Sequence, residues 1–266
     1  MQIRLFLVVL IIQTIVLACG PSQPQLAVKK IAVAEALLLK GDTTNTLLHL
    51  DSISGLYPKA LSEARTALQI SNRIYVSMLM LQRENLSKAN VMIDSLIREF
   101  SPEKGEFDKY TNYIHNRHAT SKTWSRSFVQ VYLNEKGDLT LTSNYYGGQW
   151  LNHTSLLAEG EGLSAKTDSV PIDNVNNHHS EFSGSKWEKV TYHGEKAEKV
   201  IEMIAANTDK KLKAVFKGKS SYIIWLEEPD KKGIKAAYDL SEAIKVKIAS
   251  GKAISSLEKK VKSEEQ

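Results

Sequence analysis

The chain has 266 residues, 42% of them apolar and 24% charged, a globular composition with enough length for one large core or two small ones. Its 35 Lys and Arg against 30 Asp and Glu leave a surplus of only +5, which excludes the basic footprint of a nucleic-acid-binding protein. A single cysteine, Cys19, excludes an intrachain disulfide, so the fold must rest on its core.

Met1 to Arg4 is a short basic start, Leu5 to Leu17 is almost wholly apolar, and Val16-Leu17-Ala18-Cys19 closes the run. A helix that crosses a bilayer needs about 20 apolar residues, and this run is shorter and broken by Gln13 and Thr14. A basic end, an apolar core of ~7 to 15 residues and a small residue at the cut fit a secretory signal instead. The order resembles the signal peptide and lipobox of bacterial lipoproteins, with Leu17 departing slightly from the smaller residue usual there. That resemblance implies cleavage between Ala18 and Cys19, a diacylglycerol on the Cys19 sulfur and acylation of the new amine. Two or more acyl chains make such an anchor stable. Gly20-Pro21-Ser22-Gln23-Pro24-Gln25 is polar and Pro-rich and reads as a tether. No Asp follows the cysteine, which by enterobacterial sorting favours the outer membrane. The first acid is Glu35, so the acidic cluster that promotes surface export in Bacteroides-type lipoproteins is missing and a periplasmic face is expected.

From Gln25 to Lys40 the apolar residues Leu26, Ile31, Val33, Ala34, Leu37 and Leu38 fall largely on one helical stripe, which Gly41-Asp42 ends. A second helix carries Leu47, Leu50 and Ile53 inward and ends near Gly55, and a third begins at Pro58. The Gly-Asp turn, Thr46 where a small residue packs the hairpin, Leu50, Ile53 and Pro58 resemble one degenerate tetratricopeptide repeat. One repeat of ~34 residues needs another surface to cover it. The seam Leu61, Ala64, Leu68, Tyr75, Met78, Leu79, Leu86, Ala89, Ile93, Leu96 and Phe100 supplies a long amphipathic helix, with Gln82 to Asn85 as a possible break. Ser101-Pro102 ends it, and Glu103 to Thr123 reads as a connecting stretch with some helix.

Phe128 to Leu133 and Leu139 to Tyr146 alternate across a loop containing Gly137, a hairpin signal. Further strands are expected at Leu163 to Thr167, Trp187 to His193, Leu212 to Lys217 and Tyr222 to Leu226. The apolar spacing of Val200 to Ala206 suits a helix, but the compact Asn207-Thr208-Asp209-Lys210 turn suits a hairpin, which is the preferred reading. After Pro229 the stripe Ile234, Ala237, Tyr238 and Ile244 is helical, Gly251 interrupts, and Ile254, Leu257 and Val261 follow. From Asn134 to Ser185 acids outnumber lysines, and the lysine-rich segment after it would lie alongside as a complementary neighbour.

The expected fold is α+β: an N-terminal helical hairpin plus long helix, then an antiparallel β-sandwich-like sheet and C-terminal helices. The expected divisions are a signal at 1–18, a tether at 19–25, a helical region at 26–122, a β domain at 123–228 and C-terminal helices at 229–266. With Tyr57-Pro58-Lys59, Tyr132-Leu133-Asn134, Trp150-Leu151-Asn152-His153-Thr154-Ser155-Leu156, Phe216-Lys217-Gly218 and Asp230-Lys231-Lys232-Gly233-Ile234, the layout resembles uncharacterised Bacteroides-type envelope lipoproteins. That group implies no activity.

The phosphate-loop, dinucleotide, nucleophile-elbow and zinc-protease motifs are absent. His115 with His118, and His178-His179 with His193, lack the cysteine or carboxylate spacing of a zinc site and read as polar loop histidines. Ser180 or Ser183 with Asp173 and these histidines makes a triad only on paper. Tyr145, Tyr146, Trp150 and Trp187 cluster near Gly147-Gly148 and are the candidate ligand-binding residues, able to stack on sugar faces or cover a peptide. The reading is therefore a non-catalytic, lipid-anchored envelope protein with a protein-binding or scaffolding role and no cofactor or metal. Its partners are the membrane and an envelope protein. A carbohydrate- or peptide-binding β domain is the alternative, and a metal-dependent or serine hydrolase the third.

Overall fold

The computed structural model describes residues 21–106, 109–118 and 125–263. It is a mixed α+β structure with N-terminal helices, two antiparallel sheets and a long C-terminal helix. Two compact units are formed, one from residues 21–83 and 253–263, the other from residues 84–252 less the undescribed stretches. Among the described residues no helix is long and apolar enough to cross a membrane.

The first unit opens with a hairpin of helices. Helix α1 (Gln23–Leu39) starts where the Ser22 N–H donates to the Gln25 side chain at 3.0 Å, and it ends at Gly41, whose φ of 79° suits glycine. Asp42 then caps α2 (Thr43–Asp51), accepting the Asn45 N–H at 3.1 Å, and the short α3 (Ile53–Leu56) follows. Thr46 is fully buried and donates its hydroxyl to Asp42 O at 2.7 Å, within 3.3 Å of Ala34 O. Around it pack Ala27, Ala34, Leu50, Ile53, Ala60, Ala67 and Ile74. Helix α4 (Leu61–Leu96) contributes the last two of these, and its Tyr75 and Leu79 pack with Ile254, Leu257 and Val261 of the C-terminal helix α6 (Glu228–Ser263). Neither long helix breaks where the sequence suggested. Gln82 to Asn85 contains no glycine or proline, and a lone Gly251 costs a helix only about 1 kcal/mol.

The second unit holds a six-stranded sheet in the order β1-β2-β3-β4-β8-β7 and a four-stranded sheet in the order β10-β9-β5-β6. The strands are β1 (Phe100–Glu103), β2 (Asn112–His115), β3 (Phe128–Asn134), β4 (Leu139–Gly147), β5 (Ser155–Gly160), β6 (Leu163–Lys166), β7 (Asn177–Phe182), β8 (Ser185–Tyr192), β9 (Lys213–Lys217) and β10 (Ser221–Trp225). Strand β1 stands where the long helix was expected to end and β2 where a connecting stretch with some helix was expected, and β5 and β7 were not anticipated. Val200–Ala206 is not a hairpin strand. It lies in helix α5 (Glu195–Ala205) and its first following residue, with Ala197, Val200, Ile201, Ile204 and Ala205 buried at helical spacing. Burial of that stripe outweighs the turn chemistry of Asn207 to Lys210.

One core joins the sheets and helices of this unit. Val129, Val131 and Leu133 of β3, Leu141 of β4 and Val190 and Tyr192 of β8 face Leu156, Ala158, Ala214 and Phe216 of the smaller sheet. Val200, Ile201 and Ile204 of α5 and Ile234, Ala237, Leu240 and Ile244 of α6 complete it. Side chains alternate along a strand, so this inward phase leaves the opposite phase of the large sheet facing outward. Lys213 pairs with Glu159 at 3.0 Å across the β9–β5 ladder, and Lys196 with Asp168 at 2.6 Å, which joins the acidic and lysine-rich segments.

Candidate functional site

Strand register builds a cleft on that outward face. Phe128, Asn144, Lys189 and His178 are direct neighbours in one transverse row across β3, β4, β8 and β7. Tyr146, Trp187 and Ser180 form the next row. The first row, with Trp187 and Ser180 of the second and Gln130, Phe182, His118 and Arg126, lines a cleft of about 580 Å³, within the size range of small-molecule sites. Its walls are mainly apolar: Trp187 packs on Tyr146 with ring centres 5.0 Å apart, and Phe182 stands 72% exposed at its mouth.

A charged corner borders the cleft. His118 is buried and stacks on Phe128 at 6.1 Å, and the Arg126 guanidinium lies over the same ring at 5.3 Å. Asp230 from α6 accepts Arg117 Nε at 2.7 Å, with Arg126 at 3.5 Å and His118 Nε2 at 3.4 Å. Burial pushes the Asp230 carboxyl upward, but the hydrogen bonds of His118, Arg117 and Arg126 outweigh it and hold the group well below the ordinary carboxylate range. Arg117 also donates to Glu227. Among the described residues two polar atoms facing this corner stay without a hydrogen-bond partner, Arg126 Nε and His118 Nδ1, while His118 Nε2 faces Asp230.

Behind the cleft, on the core side of the same strands, lies a second polar cluster. Glu188 Oε1 accepts the N–H groups of Leu151 and Asn152 at 2.6 and 2.7 Å, and Oε2 accepts the His153 N–H at 2.9 Å and His153 Nδ1 at 2.6 Å. The carboxylate therefore fixes the tautomer, so His153 Nε2 accepts from Ser143 Oγ at 2.7 Å, and Ser143 in turn accepts from the Tyr192 hydroxyl at 2.9 Å. Burial raises Glu188, yet hydrogen bonds from His153 and Asn152 bring it below the usual value. Burial also pushes the Tyr192 phenol up.

Ser143, His153 and Glu188 are connected as a serine hydrolase relay would be, but geometry of this kind needs an exposed hydroxyl. Here the three residues are 0%, 0% and 1% exposed, with Phe216 stacked 5.2 Å from the His153 ring. An acyl group has no room at Ser143. What the cluster does is clamp residues 151–153, where Asn152 holds a φ of 51°, and so set the position of Trp150.

The four candidate aromatics separate onto two faces. Tyr146 and Trp187 join on the outward face, Trp187 lining the cleft. Tyr145 points the other way, 7% exposed, with its hydroxyl donating to Gln149 O at 3.0 Å and its ring against Tyr222 at 5.1 Å. Trp150 stacks on His179 at 5.1 Å beside Lys186. His178 and His179 thus face opposite sides of β7, as alternation requires. Ser180 shares the outward face with His178, Ser183 sits in the β7–β8 turn, and no described contact ties either serine to Asp173. No group of three or more metal-ligating side chains converges among the described residues. Ala18 and Cys19, the cleavage and lipid-attachment residues, lie outside the described residues.

Sequence reasoning missed Arg126, His118 and Asp230 as a group, because 112 residues of chain separate His118 from Asp230. It also missed Glu188, although an acid in the apolar phase of Glu188, Val190 and Tyr192 was a visible signal. Comparisons with protein-family models, curated proteins and solved structures find no match to this chain.

Proposed function

We propose that this chain is a lipid-anchored bacterial envelope protein, held to the outer membrane through Cys19 on its periplasmic side, whose β unit binds a ligand without transforming it. The cleft on the outward face of the large sheet carries this reading. It offers a preformed, aromatic-walled space with a few polar groups at one end, the usual character of a binding site. The most relay-like cluster nearby is sealed in the core, which favours binding over hydrolysis. The signal-like start and lipobox at Val16 to Cys19 support the anchor.

The test uses the full chain in zwitterionic nanodiscs, offered to glycan and peptide arrays. Binding that is lost in Trp187→Ala, with unchanged thermal unfolding, supports the reading. An array without any Trp187-dependent signal contradicts it, and Cys19→Ala that remains with the membrane fraction contradicts the anchor.

A second reading, an envelope protein as partner, is favoured by one observation in the helical unit. Leu39, Leu61 and Met80 there are 90%, 78% and 66% exposed, large apolar side chains that a protein partner would cover. In-cell crosslinking from Leu61 and Met80 tests it by the appearance of one reproducible adduct.

A further inference from the structure

Resting on the reading of the cleft as a ligand site, we infer that its ligand is an organic acid: an anionic group seated at the Arg126–His118 corner and an apolar or aromatic body lying over Phe128 and Trp187. The corner supplies hydrogen-bonding groups that have no partner among the described residues. His118 has no exposed side-chain surface, its Nε2 faces Asp230 at 3.4 Å, and among the described residues its Nδ1 and the buried Arg126 Nε have no partner. Unsatisfied buried polar groups of this kind cost about 1–3 kcal/mol each, and native structures keep them chiefly where something else completes them.

The charge balance has the matching sign. Among the acids near the cleft, Asp230 is taken up by Arg117 and Arg126, Glu227 by Arg117, Glu181 by Lys186, and Glu188 by His153 and three backbone N–H groups. Lys189, in the row between Asn144 and His178, pairs with no described acid. Among the described residues one cation, Lys189, is left over on the floor, and the Arg126 Nε donor is left unbonded at the corner. A hydrogen-bond-accepting anion seated at the corner fits the unbonded donor, its charge is favoured by Lys189 across the floor, and charge-assisted bonds are the strong ones. The geometry also orders the ligand. Phe128 and Lys189 stand two strands apart in one row, about 10 Å by strand spacing, so the body of the ligand spans the floor between the basic corner and Lys189. Trp187 and Phe182 extend the apolar wall beyond it.

The experiment compares two probes that differ only in charge, 2-naphthylacetate and 2-naphthylacetamide, by saturation-transfer NMR with the full chain in zwitterionic nanodiscs and empty nanodiscs as the blank. The acetate should bind about tenfold or more tightly than the amide, as expected for a hydrogen-bonded charge. Arg126→Gln should remove that preference, and Lys189→Gln, an exposed change that leaves the fold intact, should reduce it, while both variants still bind the amide. Equal binding of the two probes, lost together in Trp187→Ala, overturns the acid assignment and leaves the cleft as a site. Failure of both probes at millimolar concentration contradicts the cleft reading itself.

Discussion

Replacing Glu188 by Gln tests the buried cluster with the loss of a single charge and almost no change of shape. The carboxylate accepts four N–H groups, two on each oxygen, but a carboxamide keeps only one accepting oxygen. If that oxygen stays with Leu151 and Asn152, the NH₂ faces the His153 N–H and Nδ1–H, and turning the amide over moves the conflict to the other pair. His153 can relieve one conflict by exchanging tautomers, with Nδ1 accepting from the amide and Nε2–H donating to Ser143. At least one buried donor is still orphaned, at about 1–3 kcal/mol, and a charge-assisted bond of similar worth is lost. The expected destabilisation is about 2 to 4 kcal/mol. With a urea dependence of about 1–3 kcal/mol per M, the fluorescence-detected midpoint should fall by at least about 0.7 M. The ring contact of Trp150 with His179 should loosen as well, since residues 151–153 lose their clamp. A midpoint within about 0.3 M of the parent would refute the view that Glu188 holds this loop.

Ser143→Ala should cost about 1–3 kcal/mol, because it strands His153 Nε2 and the Tyr192 hydroxyl in the core; a fully stable variant in thermal melts would reopen a chemical role for the serine. Asp230 and Glu188 both sit below their unfolded values of about 3.9 and 4.3. Their stabilisation is therefore complete above about pH 4.3 and is lost as pH falls through the folded values, so unfolding stability should be flat from pH 7 to 5 and drop steeply below about pH 4, with a shallower drop in Asp230→Asn. Gly233→Ala places a Cβ 2.9 Å from His115 Nδ1 and displaces the ring that accepts the Arg117 N–H at 3.2 Å. It should cost about 1–3 kcal/mol, read by calorimetry, whereas the same change at Gly251, where nothing crowds the added methyl, should be neutral or stabilising.

What could be read in the sequence was mostly local. Gly41-Asp42 and the Thr46, Leu50 and Ile53 spacing marked the helical hairpin because caps and helical stripes are written within a few residues. The β3–β4 hairpin was legible for the same reason. Strand β1 was hidden by Pro102, which lacks a donor for a ladder; the strand tolerates it because β1 lies at the edge of its sheet. Strand β7, Asn-His-His-Ser-Glu-Phe, is polar on both faces and carries no apolar alternation, yet it forms the far wall of the cleft. The site itself was half visible. Tyr146 and Trp187 were picked out as aromatic, but one-residue alternation put Tyr145 in the core, and only the register of four strands could bring Phe128, Lys189 and His178 into a row. The corner of Arg126, His118 and Asp230 depends on α6 returning to the sheet, which no local pattern records.

The most direct test of the cleft as the working surface is photocrosslinking in living cells. A benzophenone amino acid placed at Phe182, at the cleft mouth, is compared with one at Val175, which is 96% exposed and outside the cleft. The account predicts a discrete adduct from position 182 that is absent from 175 and disappears when Trp187→Ala is added. Indistinguishable patterns from the two positions would contradict it.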